Sequence, residues 1–167
     1  MNEKIAQTPV PIISVERVTL RPVTPEDGEL LLQIYAAARE IELSMVPWDD
    51  DQKRAFLEHQ LAAQTAYYIT EFPGATHDVI LLDNEPAGRL YIDRTGDQIT
   101  ILDLAVLSQF RNNGVASALV SELLNEGRPV GVCVETFNPS RDFFAKRGFE
   151  VISDDGANLR MQSTPSR

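Results

Sequence analysis

A chain of 167 residues with 43% hydrophobic side chains is long enough to enclose one sizeable core and short for two. Its formal net charge of −10 argues against nucleic acid as a bulk partner, because grip on a phosphate backbone rests on basic surface. No stretch approaches the ~20 apolar residues of a membrane span, the opening MNEKIAQTPVPIIS has no long apolar run, and a single cysteine, Cys133, cannot form an internal disulfide, so a cytoplasmic chain without membrane contact is expected.

The acid is unevenly spread. Residues 1–110 carry 18 acidic and 8 basic side chains, residues 111–149 carry 4 and 5. The near-neutral part suits an anionic ligand, and the acidic part either favours a cationic second ligand by its field or serves solubility alone.

In chain order, residues 1–14 with Pro9 and Pro11 read as a loose arm, residues 15–162 as one domain and residues 163–167 as a tail. Val15 to Arg21 alternates as a first strand. Thr24-Pro25-Glu26-Asp27 then starts a helix with a hydroxyl cap, proline at the first position and early carboxylates. Leu30, Leu31, Ile34, Tyr35, Ala38 and Ile41 draw one apolar stripe along it, ending near Leu43. In the loop Ser44 to Asp51, one of Asp49, Asp50 and Asp51 caps a long second helix over Gln52 to Glu71, on which His59 faces water; Pro73-Gly74 stops it. The Trp48-to-Asp51 loop either binds an amine or only caps and solvates.

His77 to Asp83, a turn at Asn84-Glu85-Pro86, Ala87 to Arg94, a turn at Thr95-Gly96-Asp97, and Ile99 to Leu107 form a three-stranded meander. If the second loop has three residues, Arg94 faces Gln98 and Arg89 stands opposite Asp103.

Ile99 to Leu107 is apolar at nearly every position, as suits a central strand. Ser108 to Asn113 turns polar, Gly114 removes a side chain, and Val115, Leu119 and Leu123 set a helix running to Leu124. The first turn of such a helix leaves backbone N–H groups without partners at the positive end of the peptide dipole, so a phosphate docks there. In Arg111-x-x-Gly114-x-Ala116, the small residues let a pyrophosphate approach those groups. Asn125-Glu126-Gly127 ends the helix. Pro129 to Thr136 is a buried strand, parallel to the Ile99 strand through a right-handed crossover, with Cys133 as a small buried hydrophobe. Pro139 to Arg147 is a short helix with Phe143 and Phe144, closed by Gly148, and Phe149 to Ser153 pairs with Asn158 to Gln162 as a hairpin.

Over residues 15–162 this order resembles the GNAT N-acyltransferase superfamily. Arg111-Asn112-Asn113-Gly114-Val115-Ala116 is similar to its Q/R-x-x-G-x-G/A loop, Leu104-Ala105-Val106 takes the strand end before it, and Asn138-Pro139-Ser140 with Phe143-Phe144 and Arg147-Gly148-Phe149 is similar to its N-P-A…L-Y…GF segment. The resemblance implies an α/β (α+β) fold, with a mixed central sheet of six to seven strands flanked by about four helices, in a monomer or homodimer. It implies an acyl-CoA, most often acetyl-CoA, as co-substrate without a metal, and direct acetyl transfer to a primary amine of a small molecule, peptide or protein in a ternary complex.

The resemblance also places the cofactor. Its pyrophosphate would lie on Arg111, Asn112, Asn113, Gly114, Val115 and Ala116. Its pantetheine would run as a pseudo-strand along Leu104, Ala105 and Val106, where the strand bulges and splays from its parallel neighbour. The Leu104 N–H would face the thioester oxygen, with Asn138, Phe143 and Phe144 around the thiol end. The tyrosine that many members use to protonate the departing thiolate is Phe144 here, which has no proton to give.

An amine with a lysine-like pKa of roughly 10.4 must lose a proton before it attacks. Asp103, the only charge in Ile99 to Leu107, is either that base or the partner of Arg89. His77 is a base by its ordinary pKa or an exposed strand-end residue. Tyr91 and Asp93 share the Asp103 face by parity, and Glu135 either orients the amine or faces solvent. A non-catalytic acyl-CoA-binding or regulatory domain, favoured by Phe144, and a transferase for a longer acyl group are the rival readings.

Overall fold

The computed structural model describes residues 17–165; the expected arm over 1–14 and the first two residues of the expected opening strand, Val15 and Glu16, lie outside the described residues. Seven strands form one mixed sheet: β1 (Val18–Pro22), β2 (Thr76–Leu82), β3 (Glu85–Asp93), β4 (Ile99–Val106), β5 (Val130–Glu135), β6 (Phe149–Asp154) and β7 (Asn158–Ser163). Their order across the sheet is β1-β2-β3-β4-β5-β7-β6, and within it β4 and β5 are parallel neighbours. The five helices are α1 (Gly28–Ala37), α2 (Glu40–Ser44), α3 (Asp50–Glu71), α4 (Val115–Leu124) and α5 (Ser140–Ala145).

The single helix expected from Thr24 to Leu43 is divided. Pro25–Asp27 forms a 3₁₀ turn because the Asp27 carboxylate turns inward to accept from Arg21 and from the Thr24 N–H at 2.8 Å. The chain tightens again where the Arg39 N–H reaches the Ala36 carbonyl at 3.0 Å, separating α1 from α2 and leaving Ile41 exposed instead of on the stripe. Asp49 is the aspartate that caps α3: it accepts from the Gln52 N–H at 2.8 Å while Gln52 Oε1 accepts from the Asp49 N–H at 3.0 Å. The turn between β2 and β3 is Asp83-Asn84, with φ of 50° and 66°, rather than Asn84-Glu85-Pro86, because these two residue types tolerate the left-handed region a two-residue hairpin demands.

On one face of the sheet, Ile80, Leu90, Ile92, Ile101, Val132 and Met161 form the main core with Val115, Leu119 and Leu123 of α4 and Phe144 of α5. On the other face α3 lies over β3 and β4, and Leu32 and Tyr35 of α1 pack against Leu57 of α3. Cys133 is exposed, not buried as expected. Strand alternation sends Val130, Val132 and Val134 into the core and Gly131, Cys133 and Glu135 to the α3 side, where Cys133 and Glu135 are open to solvent.

The register of β3 on β4 also departs from the expected one. Asp93 faces Thr100 and Ile92 faces Ile101, but Tyr91 faces Asp103, so Leu102 is an extra, bulged residue and Arg89 faces Ala105 rather than Asp103. The backbones then come so close that a Cβ on Gly88 would lie 2.0 Å from the Ala105 carbonyl oxygen.

Candidate functional site

β4 and β5 pair only at Ile99–Val130, Thr100–Gly131 and Ile101–Val132. Beyond Ile101, β4 continues to Val106 on its β3 side and β5 continues to Glu135 on its β7 side, leaving a gap between them. The phase of the β3–β4 ladder decides what faces that gap. The Leu107 N–H donates to the Ala87 carbonyl at 2.7 Å, and antiparallel pairs alternate between bonded and non-bonded. Counting back, Ala105 and Asp103 bond toward β3, whereas Val106 and Leu104 turn their N–H and C=O groups to the gap. The bulge lies at Leu102, two residues before the expected stretch of Leu104 to Val106.

The loop after β4 opens onto the same end of the gap. Asn112 and Gly114 hold φ of 63° and 76°, which aims the chain into α4 without a side-chain cap. Among the described residues, the N–H groups of Asn112, Asn113, Gly114, Val115, Ala116 and Ser117 have no acceptor. Arg111 folds back, its Nε donating to the Val106 carbonyl at 3.1 Å. Arg147, which the sequence reading used only as part of a motif, donates to Ser117 Oγ in the first turn of α4, and its guanidinium lies 3.6 Å above the Phe143 ring. Two cations thus flank an uncapped helix start, an arrangement that holds an anion.

Asp103, Tyr91 and His77 stand side by side across β4, β3 and β2 on the α3 face. Although Arg89 is displaced from Asp103 by two positions, the ion pair forms diagonally: Arg89, only 1% exposed, donates Nε to Asp103 Oδ2, with Nη2 in ion-pair contact with the same oxygen and donating to Gln64 of α3. Asp103 Oδ1 is free of this pair, and the carboxylate side chain keeps 27% of its surface open. His77 is not the exposed strand-end residue weighed above. Its ring stacks on Tyr91 with centroids 4.3 Å apart, Nε2 is buried without a hydrogen-bond partner, and burial beside Arg89 pushes its pKa down to about 4. Tyr91 is buried, which raises its phenol above the ordinary value. Tyr68, expected only as part of the apolar spacing of the second helix, covers this row: its ring lies 4.8 Å from Tyr91, its hydroxyl donates to the Leu102 carbonyl at 2.9 Å, and burial pushes its pKa up to about 12.

The remaining expected residues are more dispersed. Glu135 ends β5 in solvent, opposite Asn158 of β7. Asp93 binds the Thr95 N–H and hydroxyl at 2.9 and 2.6 Å, so it serves the hairpin and not the Asp103 row. Asn138 Oδ1 accepts from the Ser140 N–H at 2.9 Å and starts α5. Phe143 is half-buried beneath Arg147, while Phe144 is buried to 4% against Phe149 within the core and does not line the gap. A separate open groove of about 530 Å³ between α1 and α3, lined by Leu32, Arg54, Leu61 and Ile69 among others, lies on the outer side of α3. No described helix is long and apolar enough to cross a membrane.

The sequence model of the Acetyltransferase (GNAT) family matches residues 32–149, well over half the chain. No curated protein matches it. Among solved structures, the fold is similar to the PaiA N-acetyltransferase of Thermoplasma acidophilum in complex with coenzyme A, at 14% identity and a TM-score of 0.63 over 88% of this chain and 98% of that one. It is similar to an acetyltransferase of Thermus thermophilus, at 20% identity and 0.65 over 92% and 100%. It is also similar to the ribosomal-protein-S18-alanine N-acetyltransferase of Escherichia coli, at 16% and 0.57 over 90% and 95%. With the splayed parallel pair, the uncapped loop-to-helix junction and the family match over residues 32–149 all in one chain, the protein belongs to the GNAT acetyltransferase family.

Proposed function

We propose that the chain is an N-acetyltransferase that passes an acetyl group from acetyl-CoA directly to a primary amine. The observation that carries this reading is the gap between β4 and β5, in which Leu104 and Val106 present main-chain groups that no strand pairs, beside an α4 start with no cap. These features fit the co-substrate: the free N–H groups of residues 112–117 suit its pyrophosphate, and the strand edge suits the amides of its pantetheine. Bound there, the thioester supplies an activated acyl group on a thiol with an ordinary pKa of about 8.5, a fair leaving group.

The chain's own residues do the rest. Arg111, now bonded to the Val106 carbonyl, would hold the pyrophosphate, and its release would leave that carbonyl free for the pantetheine edge. The Leu104 N–H, turned to the gap, would be the donor that stabilises negative charge on the carbonyl oxygen of a bound thioester. Asp103 is the amine-facing group: Arg89 fixes Oδ2, so Oδ1 takes the ammonium, orients it, and passes its proton to water. His77, half-buried and stacked on Tyr91 with its Nε2 out of solvent, keeps this face packed. Phe144 lies in the core, so its lack of a hydroxyl gives no support to a non-catalytic acyl-CoA-binding domain.

The test combines turnover with the loop. Release of free CoA in the presence of a panel of amines, amino sugars and peptides should be detectable with acetyl-CoA, and competition by propionyl- and succinyl-CoA reports the acyl size. A Cβ at Gly114 would meet no atom of the chain within 4 Å, so what it obstructs is an approaching anion. Gly114→Val should lower CoA affinity more than tenfold by calorimetry, while the left-handed φ of 76° costs about 1–2 kcal/mol of stability. Unchanged CoA binding, or binding without turnover on any amine, would sink this reading.

A further inference from the structure

We propose that Tyr68 is a positioning residue whose hydroxyl, with Gln64 one turn before it on α3, clamps the β4 bulge and thereby sets the direction of the Leu104 N–H. The inference rests on the acyl-transfer reading of the gap for its functional half and on geometry alone for its structural half.

A bulge interrupts the ladder and is free to migrate or flatten unless something holds it. Here both of its residues are tied to one face of α3. Leu102, the extra residue, gives its carbonyl to the Tyr68 hydroxyl at 2.9 Å. Asp103, the next residue, accepts from Arg89 Nε, and Nη2 of the same guanidinium reaches Gln64 Oε1. Gln64 and Tyr68 are four residues apart in the 22-residue helix α3, so they share one stripe. Leu102 is also the first β4 residue beyond the last pair with β5, the place where the strands part. If the bulge flattened out, the pairing beyond it would shift by one residue, every group there would exchange directions, and the Leu104 N–H would turn from the gap toward β3.

The Tyr68 ring is held independently of its hydroxyl, by edge contacts to Tyr91 at 4.8 Å and Phe72 at 6.4 Å. Tyr68→Phe therefore removes the bond while keeping the packing, and Tyr68→Ala removes both. Hydrogen exchange in the free protein tests the clamp without any cofactor: in Tyr68→Phe, the Asp103 and Ala105 amides, which bond to β3, should exchange at least tenfold faster, with the Ile80 and Leu82 amides of β2 unchanged. Equal exchange at Asp103 and Ala105 in both proteins overturns the clamp, whether or not CoA binds.

Kinetics tests the functional half. Tyr68→Phe should lower kcat tenfold or more, with KM for acetyl-CoA and affinity for free CoA within twofold of the native protein, because free CoA has no thioester oxygen to meet the Leu104 N–H. Faster exchange with unchanged kcat overturns the positioning role. A silent Tyr68→Phe beside a damaged Tyr68→Ala overturns it as well, since that pattern is packing alone. Failure of the native protein to bind CoA removes the acyl-transfer reading and with it the functional half, and the exchange data still decide the clamp.

Discussion

Burial against the Tyr91 ring and beside Arg89 carries the His77 imidazole from its ordinary value near 6.5 to about 4, and this shift contributes to the pH dependence of stability. The folded chain binds this proton less readily than the unfolded chain does. The contribution is thus intact above about pH 6.5 and is lost as pH falls toward 4, where the unfolded state takes up a proton that the folded state refuses. A shift of this size, discounted for partial solvent access, corresponds to roughly 2 kcal/mol at pH 4. His77→Phe keeps a ring against Tyr91 and removes the titration and the unpaired Nε2, so the variant should lose less Tm than the native chain between pH 6.5 and pH 4. Parallel melting curves would refute this assignment. At this scale the sequence told some residues and not others. Asp103 was legible because a lone carboxylate in an apolar strand needs a partner, and Arg89 is that partner. The state of His77 was not, because its cover comes from Tyr91 one strand over and from the helix beyond, neither of which is adjacent in sequence.

Among the elements, the hairpin β3–β4 explains how a wrong register still led to a correct ion pair. The observed loop shifts the pairing by one residue and the bulge at Leu102 by another; two shifts preserve the alternation of faces, so Arg89 and Asp103 remain on one side and meet diagonally. Bulges depend on what packs across the strand, here Tyr68, and leave no local signature in an apolar run. The start of α4 was legible for the opposite reason: polar loop, glycine and apolar period are all local. Strand β5 makes a prediction of its own. Cys133 is the first residue past the last β4 pair, exposed on the α3 side, with its thiol pKa raised by desolvation. A pantetheine arm lying along the gap would cover it. At alkaline pH, which offsets the raised thiol pKa, saturating CoA should slow alkylation of Cys133 at least fivefold by mass spectrometry. An unchanged rate would place the arm elsewhere.

At the scale of the whole molecule, two segments differ in charge. Residues 23–72, which build α1 to α3 on the Asp103 side, carry 10 acidic and 3 basic side chains, whereas residues 111–149, which build the loop, α4, β5 and α5, carry 4 and 5. Arg111 and Arg147 stand at the uncapped start of α4, and the carboxylate surface lies on the side from which Asp103 is reached. An amine cation and an anionic co-substrate therefore meet fields of different character as they approach one gap, and a net charge of −10 acts on them with opposite sign. Salt screens such fields over roughly 10 Å at 0.1 M. Raising ionic strength from about 20 to 500 mM should lower kcat/KM for a cationic amine by roughly three- to tenfold, with little effect on a neutral amine analogue of the same shape. Over the same range the association rate of acetyl-CoA should hold or rise, because long-range repulsion by the acidic face weakens while the short contacts to the loop N–H groups are screened far less. Stopped-flow binding and steady-state rates measured in the same salt series separate the two effects. If both substrates weaken together, the acidic face has no part in gathering the amine and serves solubility alone.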